Sequence, residues 1–372
     1  MNLAIRGMGW VTPLGHEIAN VWNKLLESEE AGAATVSNPI SPHSYSAFRV
    51  PETAPTHSRL RRSSAISRFA VAAGLAALKD AGLTSGSDAA RIALIFATSN
   101  GGVIYTKRFY HDIVESGAQA ASPLLFPETV FNAPASHLAA ILGVTGASYT
   151  LVGDGAVGIL AVQMAANIMR NESIDHCLVV AAEEIDWLLC DAYRKWRLLR
   201  AAPPLEPFRD TPRGMILSEG AGAIVIGREG SIILDRIVPG GNFTKRQCAA
   251  GLLRDVYAEL EAKDAGILVA SANGTFIDAA EEKAIRQEIP KTLVYTAKPA
   301  LGEGVAAGAI WQVIAASQAL LTSQVPPVLR APRNSALHIP HTRTEIDRAK
   351  HAIVSTCGLN QQIAGLRLSK RF

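Results

Sequence analysis

The stretch from Ala147 to Arg170, ASYTLVGDGAVGILAVQMAANIMR, constrains this chain more than any other: an apolar strand, a glycine turn, then a long helix beginning near Ala156. Tyr149 to Val152 has the aromatic and β-branched character of a strand. Ile159, Val162, Met164, Ala165 and Ile168 are too densely apolar for a surface helix, so a buried one is expected. A buried helix N-terminus fed by a tight turn is where enzymes often place a nucleophile, because the unpaired N–H groups and the dipole stabilise a developing anion. That position here is Gly155, which has no side chain to react.

The flanking chain alternates strands and helices. Leu3 to Gly7 reads as a strand and Glu17 to Leu26 as an amphipathic helix; Ala31 to Ser58, rich in Pro, Ser and Thr, reads as an irregular surface excursion. Ser64 to Ala81 repeats apolar residues at helical spacing and stops at Gly82. Arg91 to Ala97 is a buried strand, Lys107 to Phe126 is helical and then irregular, and Pro134 to Leu142 is a helix ended by Gly143. Cys177 to Ala182 is a strand finishing in Glu183 and Glu184, and Gly222 to Ile226 is another.

After a boundary at Arg228 to Gly230 the style repeats. Strands are expected at Ile232 to Ile237, Ile267 to Ala270, Leu293 to Thr296, Ala352 to Cys357 and Ile363 to Leu368. Helices are expected at Gln247 to Ala262, Asp278 to Gln287 and Val305 to Leu321. Two similar halves, 1–229 and 230–372, predict an α/β fold with layered, duplicated architecture.

Composition excludes several classes. A net charge of +3 on 372 residues, with Lys and Arg clustered only at Arg59 to Arg62 and Arg194 to Arg200, carries no nucleic-acid footprint. Either cluster is able to receive an acidic partner, although a solvated basic face is the commoner meaning. Cys177, Cys190, Cys248 and Cys357 lie far apart without metal spacing, which predicts reduced thiols and no metal site. No leader and no membrane-spanning run is evident, so a soluble cytoplasmic protein without a bound cofactor is expected.

Six stretches, in order and across essentially the whole chain, resemble the β-ketoacyl synthase branch of the thiolase superfamily. They are GMGWVTPLG, VFNAPASHLAAILGVTGASYTLVGDGAVG, PFRDTPRGMILSEGAGAIVIG, ASANGTFIDAAEEKAI, AKPALGEGVAAGA and STCGLNQQ. The resemblance implies a thiolase-like αβαβα fold and a family chemistry in which a cysteine holds an acyl chain. Two histidines then stabilise the enolate and oxyanion formed when a malonyl-type thioester decarboxylates, and a lysine supports that loop.

Carried over position by position, the cysteine place is Gly155, the first histidine place Asn273 and the second Glu303; Lys298 and Glu219 are retained. Glycine forms no thioester, Asn273 carries no proton at neutral pH, and an ionised Glu303 repels an enolate. No catalytic residue of its own is left to the chain. The family's own precedent for such a loss is the chain length factor, or ketosynthase β subunit, of type II polyketide and aryl polyene systems. It pairs with an active ketosynthase α subunit along the edge strand of each central sheet, shapes that subunit's acyl tunnel, and meets acyl carrier protein through the complex.

The same resemblance puts Pro127 to Pro134 near the two-fold axis of that heterodimer, making Phe131, Asn132 and Pro134 candidates for the interface or tunnel. It also sets Cys357 where a gatekeeping phenylalanine usually stands, with a small buried filler as its plain meaning. The chain between Gly240 and Asn273 is short for the family, which predicts a reduced cavity. Trp187, Trp196 and Trp311 read as core or interface residues.

Two other readings compete. One is a residual decarboxylase or acyltransferase working through Cys357 or a carboxylate. The other is dinucleotide binding, since Gly153 to Gly158 matches G-x-G-x-x-G between a strand and a helix, with Glu183 ending the next strand as a ribose ligand. The second leaves the other five stretches unexplained.

Overall fold

The structure is a computed structural model that describes residues 3–371 apart from 53, 84–88, 172 and 348. β1 (Leu3–Val11), α1 (Ile18–Leu26), β2 (Ala33–Ser37) and β3 (Ser44–Phe48) open the chain. α2 (Ala65–Asp80), β4 (Ile92–Thr98), α3 (Val103–Ser116), α4 (Ala133–Leu142), β5 (Ser148–Val152), α5 (Val157–Ile168) and β6 (His176–Glu183) follow. Next come α6 (Trp187–Lys195), β7 (Leu217–Ser218), β8 (Gly220–Gly227), β9 (Ile232–Asn242), α7 (Ala249–Glu259), β10 (Ile267–Val269) and α8 (Phe276–Glu288). The chain ends with β11 (Leu293–Tyr295), α9 (Lys298–Leu301), α10 (Ala306–Thr322), β12 (Gln324–Val325), β13 (Thr344–Glu345), β14 (His351–Cys357) and β15 (Gln362–Lys370).

Ten strands form one hydrogen-bonded series in the order β11-β10-β14-β15-β9-β1-β8-β6-β4-β5. Its two ends are built alike. β1 runs antiparallel to β8 and β8 to β6, while β6, β4 and β5 are parallel. In the same way β9 runs antiparallel to β15 and β15 to β14, while β14, β10 and β11 are parallel. A three-pair ladder between β1 and β9 joins the two sets. The duplication expected from sequence is thus written in strand order and in pairing direction.

Parallel strands need helical crossovers, and these supply the layers. α5 and α10 pack against each other in the middle, α5 also touching β4, β6, β9 and β15, and α10 touching β8, β6, β14 and β10. On one outer side α2 lies on β1, β8 and β6 beside α4; on the other, α7 lies on β9 and β15 beside α8. The result is a thiolase-like αβαβα stack. Burial of α5 is as expected: Val157, Ile159, Ala161, Val162 and Ala165 are sealed, with Met164 and Ile168 half-buried.

β1 stretches to Val11, past its expected end at Gly7, and two glycines explain why a continuous strand passes so close to α2. A Cβ at Gly7 would lie 2.4 Å from the Ala77 carbonyl oxygen, and one at Gly9 would lie 2.3 Å from that of Ala73. Only a bare backbone fits there.

The excursion from Ala31 to Ser58 is not irregular. β2 and β3 pair antiparallel within it, and β3 pairs in parallel with β7. Val36, Tyr45, Ala47 and Phe48 are the buried residues of the two strands, too few to announce a strand against the surrounding Pro and Ser. α3 likewise begins at Val103, four residues before the expected Lys107.

The two ends of the strand series differ in their cover. β11 is bridged by the segment at His338, whose carbonyl accepts from Val294 N–H at 2.8 Å. β5 pairs only with β4 among the described residues, and Tyr149 and Val152 on it are about half exposed.

Candidate functional site

The site is assembled where α5, the 271–275 turn, the 298–305 turn and the 357–362 turn converge. Gly155 sits just before α5, and a Cβ placed on it would lie 3.4 Å from the Gly358 Cα and 4.0 Å from the Cys357 carbonyl oxygen. A methylene fits.

Asn273, Lys298 and Glu303 come together as a closed knot. Glu303 Oε2 accepts from Lys298 Nζ at 2.5 Å and from Asn273 Nδ2 at 2.7 Å, and Oε1 accepts from Val305 N–H at 2.9 Å. Asn273 Oδ1 takes the Thr275 hydroxyl at 2.6 Å and the Thr275 N–H at 3.2 Å. All three are buried. Every polar group that faces the others is therefore spent on a neighbour, and the lysine charge is neutralised within the knot.

The stretch PFRDTPRGMILSEGAGAIVIG supports the knot from beside it. Glu303 N–H donates to the Ile216 carbonyl at 2.8 Å, and Ser218 N–H donates to the Glu303 carbonyl at 2.9 Å. Glu219 itself points elsewhere: its carboxylate accepts from Arg49 Nη1 and Val50 N–H, both at 3.3 Å, and from Ile185 N–H at 3.2 Å. It is a tie between segments, and burial raises its pKa.

Three residues that sequence reasoning missed complete the floor. Asp278 accepts from the N–H groups of Phe208, Asn273 and Gly274 at 2.7 to 3.0 Å, and burial pushes its pKa up to about 6. Glu281 accepts from Ser271 N–H at 2.8 Å and the Ser355 hydroxyl at 3.2 Å, and burial pushes it up to about 7. Their three-residue spacing on α8 was the available signal, since it puts both acids on one helix face. The third, Asp154, has no such pattern and is treated below.

Cys357 is buried, its amide donates to the Ser271 hydroxyl at 2.8 Å, and its thiol is held far above the ordinary value by burial and by the nearby charge of Glu281 and Asp154. A thiol that resists ionisation is a poor nucleophile, which opposes the acyltransfer reading. Glu183 is equally occupied: it accepts from the Ser99 N–H at 2.5 Å and from the Asn100 N–H and Nδ2, both at 3.2 Å, with its pKa pushed up to about 7 by burial. A carboxyl group so engaged offers nothing to a ribose, and a Cβ at Gly158 would lie 2.7 Å from Ala309 Cβ, so that glycine serves helix packing.

Above the turn lies a cleft of about 740 Å³, with Asp154, Trp196, Arg246, Asn360, Gln361 and Gln362 among its lining residues. Trp196 is exposed here, edge-on to Tyr193, whereas Trp311 is core and donates to the Ala221 carbonyl at 2.8 Å. Trp187 lies under the Lys107 ammonium, 5.4 Å from the ring centre. Phe131 is 46% exposed with its ring over Gly101, Asn132 is exposed at the start of α4, and Pro134 is buried in that helix's first turn. Among the described residues no three metal-ligating side chains gather and no helix is long and apolar enough to cross a membrane.

Comparison with known proteins agrees with this fold. Residues 2–230 match the family model described as the N-terminal domain of β-ketoacyl synthase. The chain is 22% identical to 3-oxoacyl-[acyl-carrier-protein] synthase 2 of Vibrio cholerae, with 96% of each chain covered. Its fold matches a chain of the ishigamide ketosynthase/chain length factor with a TM-score of 0.86 at 20% identity, covering 100% of this chain and 99% of that one. A chain of a ketosynthase in complex with its chain length factor from Xenorhabdus doucetiae matches with a TM-score of 0.85 at 16% identity, covering 100% and 98%.

Proposed function

Because this chain belongs to the β-ketoacyl synthase family, we propose that it is a catalytically inactive member: a chain length factor that pairs with an active ketosynthase and shapes that partner's acyl tunnel during type II polyketide or aryl polyene elongation. One observation carries the reading. Asn273 and Glu303, which we match to the family's two histidines, are bonded to each other in a buried knot with Lys298, and the place we match to the nucleophile is Gly155, beside the 357–358 backbone.

Each step of condensation then lacks its agent. Gly155 has no atom to take an acyl group. The Glu303 carboxylate stands where negative charge would develop, and like charge raises that barrier. Losing a nucleophile alone costs several orders of magnitude in rate, and here no imidazole remains to assist.

What the chain still has is shape and an edge. β5 offers unpaired backbone and the half-exposed Tyr149 and Val152, and the exposed apolar side chains of Leu124, Phe126, Val130 and Phe131 come from the 124–131 segment that leads into α4. Two β5 strands meeting edge to edge would extend each sheet into the other and bury these residues, and Phe131 would then reach toward the partner's acyl chain. Acyl carrier protein would be met through the complex. The cytoplasmic setting expected from the sequence fits a partner of this kind.

The test is to purify the chain with a ketosynthase that keeps its cysteine and both histidines, then to load the pair from labelled acyl carrier protein. Label is expected on the partner's cysteine alone, and Phe131→Ala is expected to change the product length. Sustained condensation by the isolated chain, or label on it, overturns the proposal; an unchanged product profile overturns the placement of Phe131.

A further inference from the structure

Asp154 lies directly before the glycine that replaces the nucleophile, and its carboxylate gathers five backbone N–H groups. Oδ1 accepts from Gly155 at 2.7 Å and Leu359 at 3.1 Å; Oδ2 accepts from Asn360 at 2.8 Å, Gln361 at 3.0 Å and Gln362 at 3.4 Å. Four of the five donors lie more than two hundred residues further along the chain. An ordinary capping aspartate accepts instead from amides two or three residues ahead, within its own helix.

Consecutive amides curled toward one point make a nest for an anion, and the N-terminus of α5 beside them adds its own positive end. Here the occupant is internal. The fit is tight enough to dictate its neighbour: a Cβ on Gly358 would lie 1.9 Å from Asp154 Oδ2, so the turn passes beneath the carboxylate only as glycine. Gly358 N–H closes that turn on the Gln362 carbonyl at 2.7 Å.

We infer that Asp154 is an intramolecular plug: it fills the anion-binding nest beside the former nucleophile turn, pins the 358–362 turn to the start of α5, and denies that nest to the carboxylate or thioester oxygen of an acyl ligand. Without the side chain, the same amides form a receptor for a small carboxylate. The inference concerns the closing of this chain's own site and is read without any condensation assay, so it stands or falls separately from the subunit role.

The experiment is hydrogen exchange on the peptide spanning residues 357–363 in the full-length chain, for the parent, Asp154→Ala and Asp154→Asn, with and without formate at tens of millimolar. The parent is expected to exchange slowly and to ignore formate. Asp154→Ala is expected to exchange roughly tenfold faster or more, with formate but not chloride restoring protection. Asp154→Asn keeps the volume and one acceptor, and is expected to fall between; it carries the comparison if the alanine variant does not fold. Exchange in the variants equal to the parent's, failure of formate to protect Asp154→Ala, or equal protection of the parent by formate each overturns the inference.

Discussion

Replacing Glu303 with alanine removes an acceptor that three donors share. Lys298 Nζ at 2.5 Å, Asn273 Nδ2 at 2.7 Å and Val305 N–H at 2.9 Å all lose their partner, in a place where the lysine and glutamate side chains are 9% and 4% exposed. Breaking a buried ion pair from one side costs about 3–5 kcal/mol, because the remaining charge has nothing to offset its desolvation. An orphaned neutral donor adds about 1–3 kcal/mol. The stranded ammonium is the larger effect. Removing it as well, in the double variant Lys298→Met/Glu303→Ala, is expected to bring stability back to within about 1–3 kcal/mol of the parent, so that the two single changes, at about 3–5 kcal/mol each, together exceed the double by at least about 3 kcal/mol. Urea unfolding at pH 7, followed by circular dichroism and tryptophan fluorescence and compared at constant slope, reads these differences. If Glu303→Ala costs less than about 1 kcal/mol, or if the double variant costs the sum of the two single ones, the pair is not what holds the 298–305 turn.

Stability is also expected to fall as pH rises from about 4.5 to about 7. Glu183 and Glu281 have folded-state pKa values raised to about 7, so over that interval the folded chain binds protons that the unfolded chain has released. Each contributes up to ~3 kcal/mol, fully present below the interval and lost above it, and Asp278, raised to about 6, acts in the same sense. Melting curves from pH 5 to 8 test the sign, and a midpoint that climbs with pH refutes it. Gly9→Ala forces a methyl group to 2.3 Å from the Ala73 carbonyl and is expected to cost more than ~2 kcal/mol, seen as a lowered urea midpoint. Tyr149→Asp with Val152→Lys, on the exposed edge of the strand series, is expected to weaken the proposed pairing with a ketosynthase roughly tenfold or more while sparing the fold. Analytical ultracentrifugation distinguishes that outcome from an unchanged complex.

Much of this was legible in the amino-acid order because its signals are local. The apolar density of Ile159 to Ile168 announced a buried helix, and Gly82 and Gly143 adopt the left-handed backbone that ends α2 and α4. The pairing of Asn273 with Glu303 follows no periodicity in the sequence, and only family resemblance set the two side by side with Gly155 as matched positions. The β2–β3 pair was missed because small residues flanked by proline and serine give no alternation to read. Asp154 was missed for a different reason. Its partners lie on a turn at the far end of the chain, and nothing in its own neighbourhood distinguishes it from a routine turn aspartate.

The unequal cover of the two outermost strands gives the ribbon a closed flank and an open one. A ribbon with both flanks open recruits neighbours without end and grows into fibre. Here the flank at β11 is already occupied by the chain's own segment at His338, and β5 pairs only with β4 among the described residues. A strand added at β5 would lengthen the ribbon at that flank alone, because the other flank is already bonded within the chain.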